Sequence, residues 1–349
     1  MHKKFLFSIL FSLALFQAYA QKREFSVVNI GFYNLENLYD TIHQAGINDY
    51  EYLPASKKKY NSQVYTDKIE KLSSVISEIG KNVSADGVAI LGVSEIENKN
   101  VLIDLCRSEN LKNRDYQIVH YDSPDARGVD VGFLYNPKYF KVDTSAALYV
   151  DLPAAANGYK GKTRDVLWVK GKLLGEEYHI FVNHWPSRYG GSSASADRRA
   201  AAALVCRTAI DAILKVNTKA NILVMGDLND NPTDPSVVKV LKTSSTPTGA
   251  IKGKLYNPWE DIYKKGTGTI AYQDAWALFD QIIVSENVTN KSSDKYYFYQ
   301  TGIYKREEMI QNSGKYKGYP KRTFDFDRYV GGFSDHFPVY ITLVKPIEQ

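Results

Sequence analysis

The chain has 349 residues, 44% of them hydrophobic and 24% charged, which is enough apolar material for a sizeable core and reads as globular, not low-complexity. A formal charge of +5 neither demands nor excludes a nucleic-acid partner, because a binding patch depends on clustering and not on the sum. Two cysteines exclude a disulfide framework as the source of stability.

The first twenty residues carry Lys3 and Lys4, an apolar run from Phe5 to Phe16, and Ala18-Tyr19-Ala20 before Gln21. That is the pattern of a secretory signal peptide cleaved after Ala20. The run is short for a membrane span, nothing later resembles a second span, and no Cys follows Ala20 to take a lipid. The expectation is an exported protein, periplasmic or extracellular, with residues 21–349 as a single domain of charge +3 once the two lysines leave.

Phe25–Phe32 is the first of several short runs rich in β-branched or aromatic residues and bounded by polar turns, and it reads as a strand with Asn34 just beyond it. Thr41–Tyr65 has no periodicity and reads as a long loop. From Asp67 to Ile79, Ile69, Leu72, Val75, Ile76 and Ile79 share one helical face. Gly87–Val93 is the next strand. Glu95 stands at its end, where a hard carboxylate oxygen suits magnesium, and Glu97 competes with the same parity. Val131–Tyr135, Val166–Leu174 and Tyr178–Val182 follow as strands, the last leading into Asn183-His184-Trp185.

Arg188, Arg198 and Arg199 come next. Arginine forks match phosphate oxygens, although exposed helix charges account for the last two as well. Ala194–Leu214 reads as a second helix. Cys106 and Cys206 both fall in helical stretches and are expected to be buried free thiols.

The strand Asn221–Met225 ends in Gly226-Asp227-Leu228-Asn229. Residues two apart in extended chain project to the same side, so Asp227 and Asn229 place a carboxylate beside an amide. The carboxylate can take a proton from water while the amide holds a charged oxygen. A calcium loop is excluded, since Pro232 stands where Gly is needed and Val238 where Glu is needed. Asp234 reads as a helix N-cap before Pro235.

Ser244–Asp274 is a second long loop. Phe279–Val284 is a strand with Asp280 at its start. Tyr296–Arg322 mixes six tyrosines with Lys and Arg and is either an irregular ordered loop or a surface that stacks on and neutralises a phosphate-bearing substrate. The last strand, Pro338–Val344, is preceded by Ser334-Asp335-His336, where two titratable side chains have no packing reason to be neighbours. Asp280 and His336 precede their strands whereas Asp227 follows its own, so the tips coincide only if those strands run in opposite senses. Asp280 would then fix the imidazole tautomer of His336. Strands separated only by hairpins indicate mixed, largely antiparallel sheets, with a two-layer β core and helices outside.

Asn34 in Phe-Tyr-Asn-Leu-Glu-Asn, Glu95 in Ser-Glu-Ile-Glu-Asn, Arg127-Gly-Val-Asp-Val-Gly, Asn183-His184-Trp185, Gly226-Asp227-Leu228-Asn229, Asp280 and Ser334-Asp335-His336 occur in an order that resembles the endonuclease/exonuclease/phosphatase superfamily. The resemblance implies a four-layer α/β/β/α sandwich carrying a magnesium-dependent phosphoester hydrolase site, with Mn2+ or Ca2+ as alternative ions. It implies Glu95, Asn34 and Asp335 as metal ligands. Asp227 would act on the attacking water, with Asn229, His184, His336 and Asp280 as its catalytic companions. Asn183, Arg127 and Arg188 would face phosphate, Arg127 standing where many of the nucleases have Tyr. A nuclease-like phosphodiesterase is the leading expectation, with nucleic acid among its substrates and no protein partner inferable. The alternatives are a phosphatase or phospholipase C-like enzyme acting on inositol phosphates or sphingomyelin, and a noncatalytic phosphate-ligand-binding module.

Overall fold

The strand-forming runs of this chain are apolar at consecutive positions, and the computed structural model shows the reason: the central strands are covered on both faces. It describes residues 24–154, 158, 160–247, 253–292 and 294–347. The expected signal peptide, residues 1–20, and the expected cleavage after Ala20 lie outside the described residues.

In chain order the strands are β1 (Phe25–Leu38), β2 (Val88–Ile96), β3 (Gln117–His120), β4 (Asp130–Tyr135), β5 (Phe140–Leu148), β6 (Val166–Leu173), β7 (Glu176–His184), β8 (Asn221–Asp227), β9 (Thr243–Ser244), β10 (Leu255–Tyr256), β11 (Ile270–Tyr272), β12 (Ala275–Ala277), β13 (Asp280–Val284), β14 (Tyr297–Ile303), β15 (Phe324–Asp325), β16 (Arg328–Tyr329) and β17 (Val339–Pro346). The main helices are α1 (Ser62–Ile76), α2 (Lys99–Arg107) and α3 (Ala196–Val216). One large sheet has the order β14-β17-β1-β2-β4-β3 and the other β5-β6-β7-β8-β13-β10-β9, with β11–β12 and β15–β16 as separate hairpins. β1 runs parallel to β2, and β7 to β8. Parallel neighbours need a crossover, and α1 and α3 are those crossovers.

Alternation sorts the side chains into layers. Ile30 and Phe32 of the first sheet meet Ile180, Val182, Leu223 and Met225 of the second in the central core. Leu91 and Val93 turn outward under Leu72, Val75 and Ile76 of α1 and Leu102 and Leu105 of α2. Phe181, Ile222 and Val224 turn outward under Ala203, Cys206 and Ile210 of α3. The result is helix, sheet, sheet, helix, as expected. α1 begins where the Asn61 side chain accepts from the Val64 amide at 3.1 Å. Each fully buried aliphatic side chain of that face contributes about 1.5–3 kcal/mol.

Several boundaries shift. β1 runs six residues beyond Phe32, and β2, β7 and β8 each extend past their apolar runs, so Asn34, Glu95, His184 and Asp227 lie within strands and not after them. The Tyr296–Arg322 stretch is not all loop: β14 pairs with β17 at the sheet edge. β3 and β5 carried too weak a pattern to be read, whereas the helical stretch expected around Cys106 is α2. Asp234 does not cap a helix with its side chain; its carboxylate accepts from the Asn231 amide at 2.7 Å and from Arg188 at 2.6 Å. Among the described residues no helix is long and apolar enough to cross a membrane.

Candidate active site

Strand register builds the centre of the site. β8 lies between β7 and β13, and Asp227 is opposite His184 on one side and Asp280 on the other. β13 is antiparallel to β8, the opposite sense that superposition of the tips requires. Close approach of β7 and β8 depends on Gly226, where a Cβ would stand 2.2 Å from the Asn183 carbonyl oxygen. The first sheet supplies the other wall: Asn34 of β1 donates from Nδ2 to Asp227 Oδ2 at 3.0 Å, and Glu95 Oε1 of β2 lies 3.7 Å from His184 Nε2. The loop entering β17 completes it, since Ser334 Oγ donates to the Asn34 carbonyl at 2.7 Å and accepts from the His336 amide at 3.1 Å.

Asp227 is held from both sheets. Its Oδ1 accepts from the Asn229 amide at 2.9 Å, and its Oδ2 stands 3.7 Å from both His184 Nε2 and His336 Nε2. His336 Nδ1 is 2.7 Å from Asp280 Oδ2, which also accepts from Thr269 Oγ1 at 2.5 Å. Asp335 Oδ1 lies 3.9 Å from His336 Nε2 and its Oδ2 3.3 Å from Arg322 Nη2.

Glu95 is the extra residue of a β-bulge: Ser94 pairs with Val131 and Ile96 with Asp130, leaving Glu95 between them at φ +59°. Asn229 is also left-handed, at φ +49°. A glutamate held in that region costs free energy that the surrounding structure must offset, and such outliers gather at functional sites. The bulge swings the Glu95 carboxylate into the cleft, where the Asn37 amide holds Oε2 at 2.9 Å. Glu97, its competitor, accepts from the Asp40 amide at 2.7 Å and belongs to the wall beneath the rim.

The two imidazoles are oppositely biased. Burial, followed by Arg164, Arg127 and His336, holds His184 well below the usual histidine range. Burial would do the same to His336, but Asp280, Asp227 and Asp335 more than offset it and hold its pKa well above that range. Burial raises Asp227 to about 6, with His336 opposing and Asp280 adding to the rise. One neutral ring and one charged ring thus face the same carboxylate.

The predicted residues do not all reach this centre. Asn183 is wholly buried; its Nδ2 donates to the Phe181 and Met225 carbonyls and its Oδ1 accepts from Trp185 Nε1 at 3.0 Å. Arg188 binds the Asn229 carbonyl, Asp230 and Asp234 at 2.8, 3.1 and 2.6 Å and so braces the turn after Asp227. Asn229 directs Nδ2 to the Trp185 carbonyl at 2.9 Å. Arg199, expected either to face phosphate or to be an exposed helix charge, is buried against Asp230 at 2.7 Å. Arg127 is 45% exposed beside Asn37 at 3.4 Å, on the rim near Glu95.

Sequence reasoning missed two supports. Lys68 of α1 is buried and donates to the Glu36 carbonyl and to Thr323 Oγ1, tying β1 to the 320s loop. It interrupts the apolar stripe between Val64 and Leu72, which was the available signal. Arg164 binds Asp125 and the carbonyls of His184 and Trp185 at 3.0, 3.1 and 2.6 Å; nothing in its local sequence marks it.

The donor set fits a hard divalent cation. Glu95 leaves Oε1 outside its bond to the Asn37 amide, Asp335 is a second carboxylate at the rim, and Asn34 Oδ1, which accepts from the Glu36 amide at 2.9 Å, is a third oxygen of the right kind. Ligand atoms of Asp227, Asp280 and His336 also lie within 4.8 Å of one another.

The fold is shared with solved structures. An endonuclease/exonuclease/phosphatase family protein from Bacteroides thetaiotaomicron matches with a TM-score of 0.55 and 16% identity, over 94% of this chain and 98% of that one. The mannosyl-6-phosphatase of Bacteroides thetaiotaomicron VPI-5482 matches at 0.53 and 16%, over 90% and 99%. D. rerio TDP2 complexed with a single-strand DNA product matches at 0.52 and 15%, over 91% and 99%. No functionally curated protein matches the sequence. Residues 29–345 match the Endonuclease/Exonuclease/phosphatase family, and the chain belongs to it. It is accordingly a hydrolytic enzyme of the phosphoesterase type.

Proposed function

We propose that the chain is an exported, divalent-metal-dependent phosphodiesterase of the nuclease-like kind, folded as one domain and working by in-line attack of water at phosphorus. The observation that carries the reading is Asp227, held between one charged and one neutral imidazole at 3.7 Å each. Asn34 and the Asn229 amide orient its carboxylate, which accepts the proton of the attacking water. A pKa of about 6 leaves it mostly ionised near neutral pH and still basic enough for that transfer. His336, its Nδ1–H directed to Asp280, presents Nε2–H to a nonbridging phosphate oxygen, and His184 offers a second contact from the β7 side. Glu95, Asn34 and Asp335 would hold Mg2+, with Mn2+ or Ca2+ as alternatives, which when bound neutralises phosphate oxygens. Asn183 and Arg188 act through the backbone they hold, and Arg127 meets a phosphate at the rim.

A phosphomonoester reading is favoured by one fact, the fold shared with a protein named as a mannosyl-6-phosphatase. A panel of DNA, RNA, sphingomyelin, inositol phosphates and mannose 6-phosphate, assayed with and without magnesium, separates the two. On the preferred substrate Asp227→Ala and Asp280→Asn should each lower kcat by about 10²–10⁴-fold with circular dichroism unchanged. Wild-type turnover in either variant removes the assigned roles. Export is checked by the mass of the secreted chain, expected to begin at Gln21.

A further inference from the structure

A cavity of about 490 Å³ adjoins the catalytic edge and shares Asp335 with it. Two tight hairpins line it. β11–β12 turns through Gln273 and Asp274 at φ +48° and +61° and presents Tyr272, which is 73% exposed. β15–β16 turns through Phe326 itself, at φ +54° and 82% exposed. A large aromatic residue in the left-handed region, bare to solvent, gains nothing from packing for its strain. Both tips are fastened from behind: Lys58 Nζ donates to the Phe326 carbonyl at 2.9 Å, and the Asp274 amide to Tyr319 Oη at 2.6 Å. Tyr316 and Tyr319 form a further wall, their ring centroids 5.8 Å apart.

The cations of the cavity narrow the occupant. Arg322 pairs with Asp335 at 3.3 Å and Arg328 with Asp325 at 3.1 Å, both solvent-exposed pairs that exchange readily for a phosphate. Lys315 stands over the Tyr316 ring at 5.5 Å. A sugar monophosphate carries its charge at the one phosphorus that the catalytic groups already hold, and brings no second phosphate for which Arg322 and Arg328 could exchange their carboxylate partners. A single-stranded polynucleotide brings both planar bases and further phosphates, the two things rigid exposed rings and exchangeable arginines accept.

We infer that this cavity is a subsite for single-stranded nucleic acid, in which Tyr272 and Phe326 stack on a base flanking the scissile phosphodiester and Arg322 and Arg328 meet the adjoining phosphates. The inference rests on the phosphodiesterase reading for its register, but its test does not require turnover. A short single-stranded oligodeoxynucleotide containing 2-aminopurine is titrated into the magnesium-loaded Asp227→Asn enzyme and stacking is read as fluorescence quenching. Quenching is expected, and Tyr272→Ala and Phe326→Ala should each weaken binding about tenfold. Tyr299→Ala, which removes an exposed ring on the distant β14, should leave binding unchanged. Equal binding by the cavity variants, absence of quenching, or displacement of the oligonucleotide by mannose 6-phosphate overturns the subsite. Wild-type enzyme is assayed separately on bis(p-nitrophenyl) phosphate; failure there with quenching intact counts against the phosphodiesterase reading and leaves the subsite standing.

Discussion

Three histidines of this molecule, His336, His184 and His179, share a side chain and differ in protonation because their neighbours differ. His336 is cationic against three carboxylates and His184 neutral beside two arginines. His179 is a structural counterpart on β7: it stacks on Trp168 with centroids 5.9 Å apart, and its Nδ1 accepts from the indole N–H at 3.3 Å. That bond requires an unprotonated Nδ1, and burial, opposed by Glu177, holds its pKa below the usual 6.5. The unfolded chain therefore binds the extra proton first, and stability is lost as pH falls below 6.5. Urea midpoints at pH 7.5 and 5.5 should show this loss in the wild type, and His179→Phe should reduce it. An equal pH dependence in the variant would show that His179 contributes none of it.

Strand ends carry the chemistry because a sheet fixes backbone positions to a fraction of an ångström while leaving the last side chains free to face a cleft. Two distortions do the aiming here, the bulge at Glu95 and the glycine before Asp227. Gly226→Ala forces β7 and β8 apart one residue before the His184–Asp227 pair, so it should cost about 1–3 kcal/mol or more in urea unfolding and abolish turnover together. Stability retained with turnover lost would mean that only the Asp227 orientation had moved. The bulge was illegible in Ser-Glu-Ile-Glu: Glu95 and Glu97 have equal parity, and only pairing with β4 shows which one is extra. β14 was missed for a related reason, since an edge strand with one solvated face reads in Tyr-Phe-Tyr-Gln-Thr-Gly-Ile like a polar loop.

Across the whole molecule, the two helical layers lie on opposite outsides of the paired sheets, and this separates the cysteines. Cys106 is on α2 and Cys206 on α3, both free, with burial raising the first thiol to about 12 and the second further. The thermal midpoint should be the same with and without reductant, and a drop on reduction would contradict the layer assignment. The same layering explains what was readable. Consecutive apolar residues in Ala-Ile-Leu-Gly-Val or Asn-Ile-Leu-Val-Met can only be satisfied by strands buried on both faces, and Ile69 to Ile79 only by a helix lying on one.

The sequence by itself therefore determined the layers, the family motifs and the residue types that gather at the rim, because burial patterns and strand-end polar residues are local properties of the chain. Tertiary structure alone decided that Asn183 and Arg188 brace the rim from within, that Lys68 and Arg164 support it, and that His184 and His336 take opposite charges. Those outcomes depend on distances between residues as much as 300 positions apart, which hydrogen-bond geometry and mutual desolvation set and no local pattern encodes.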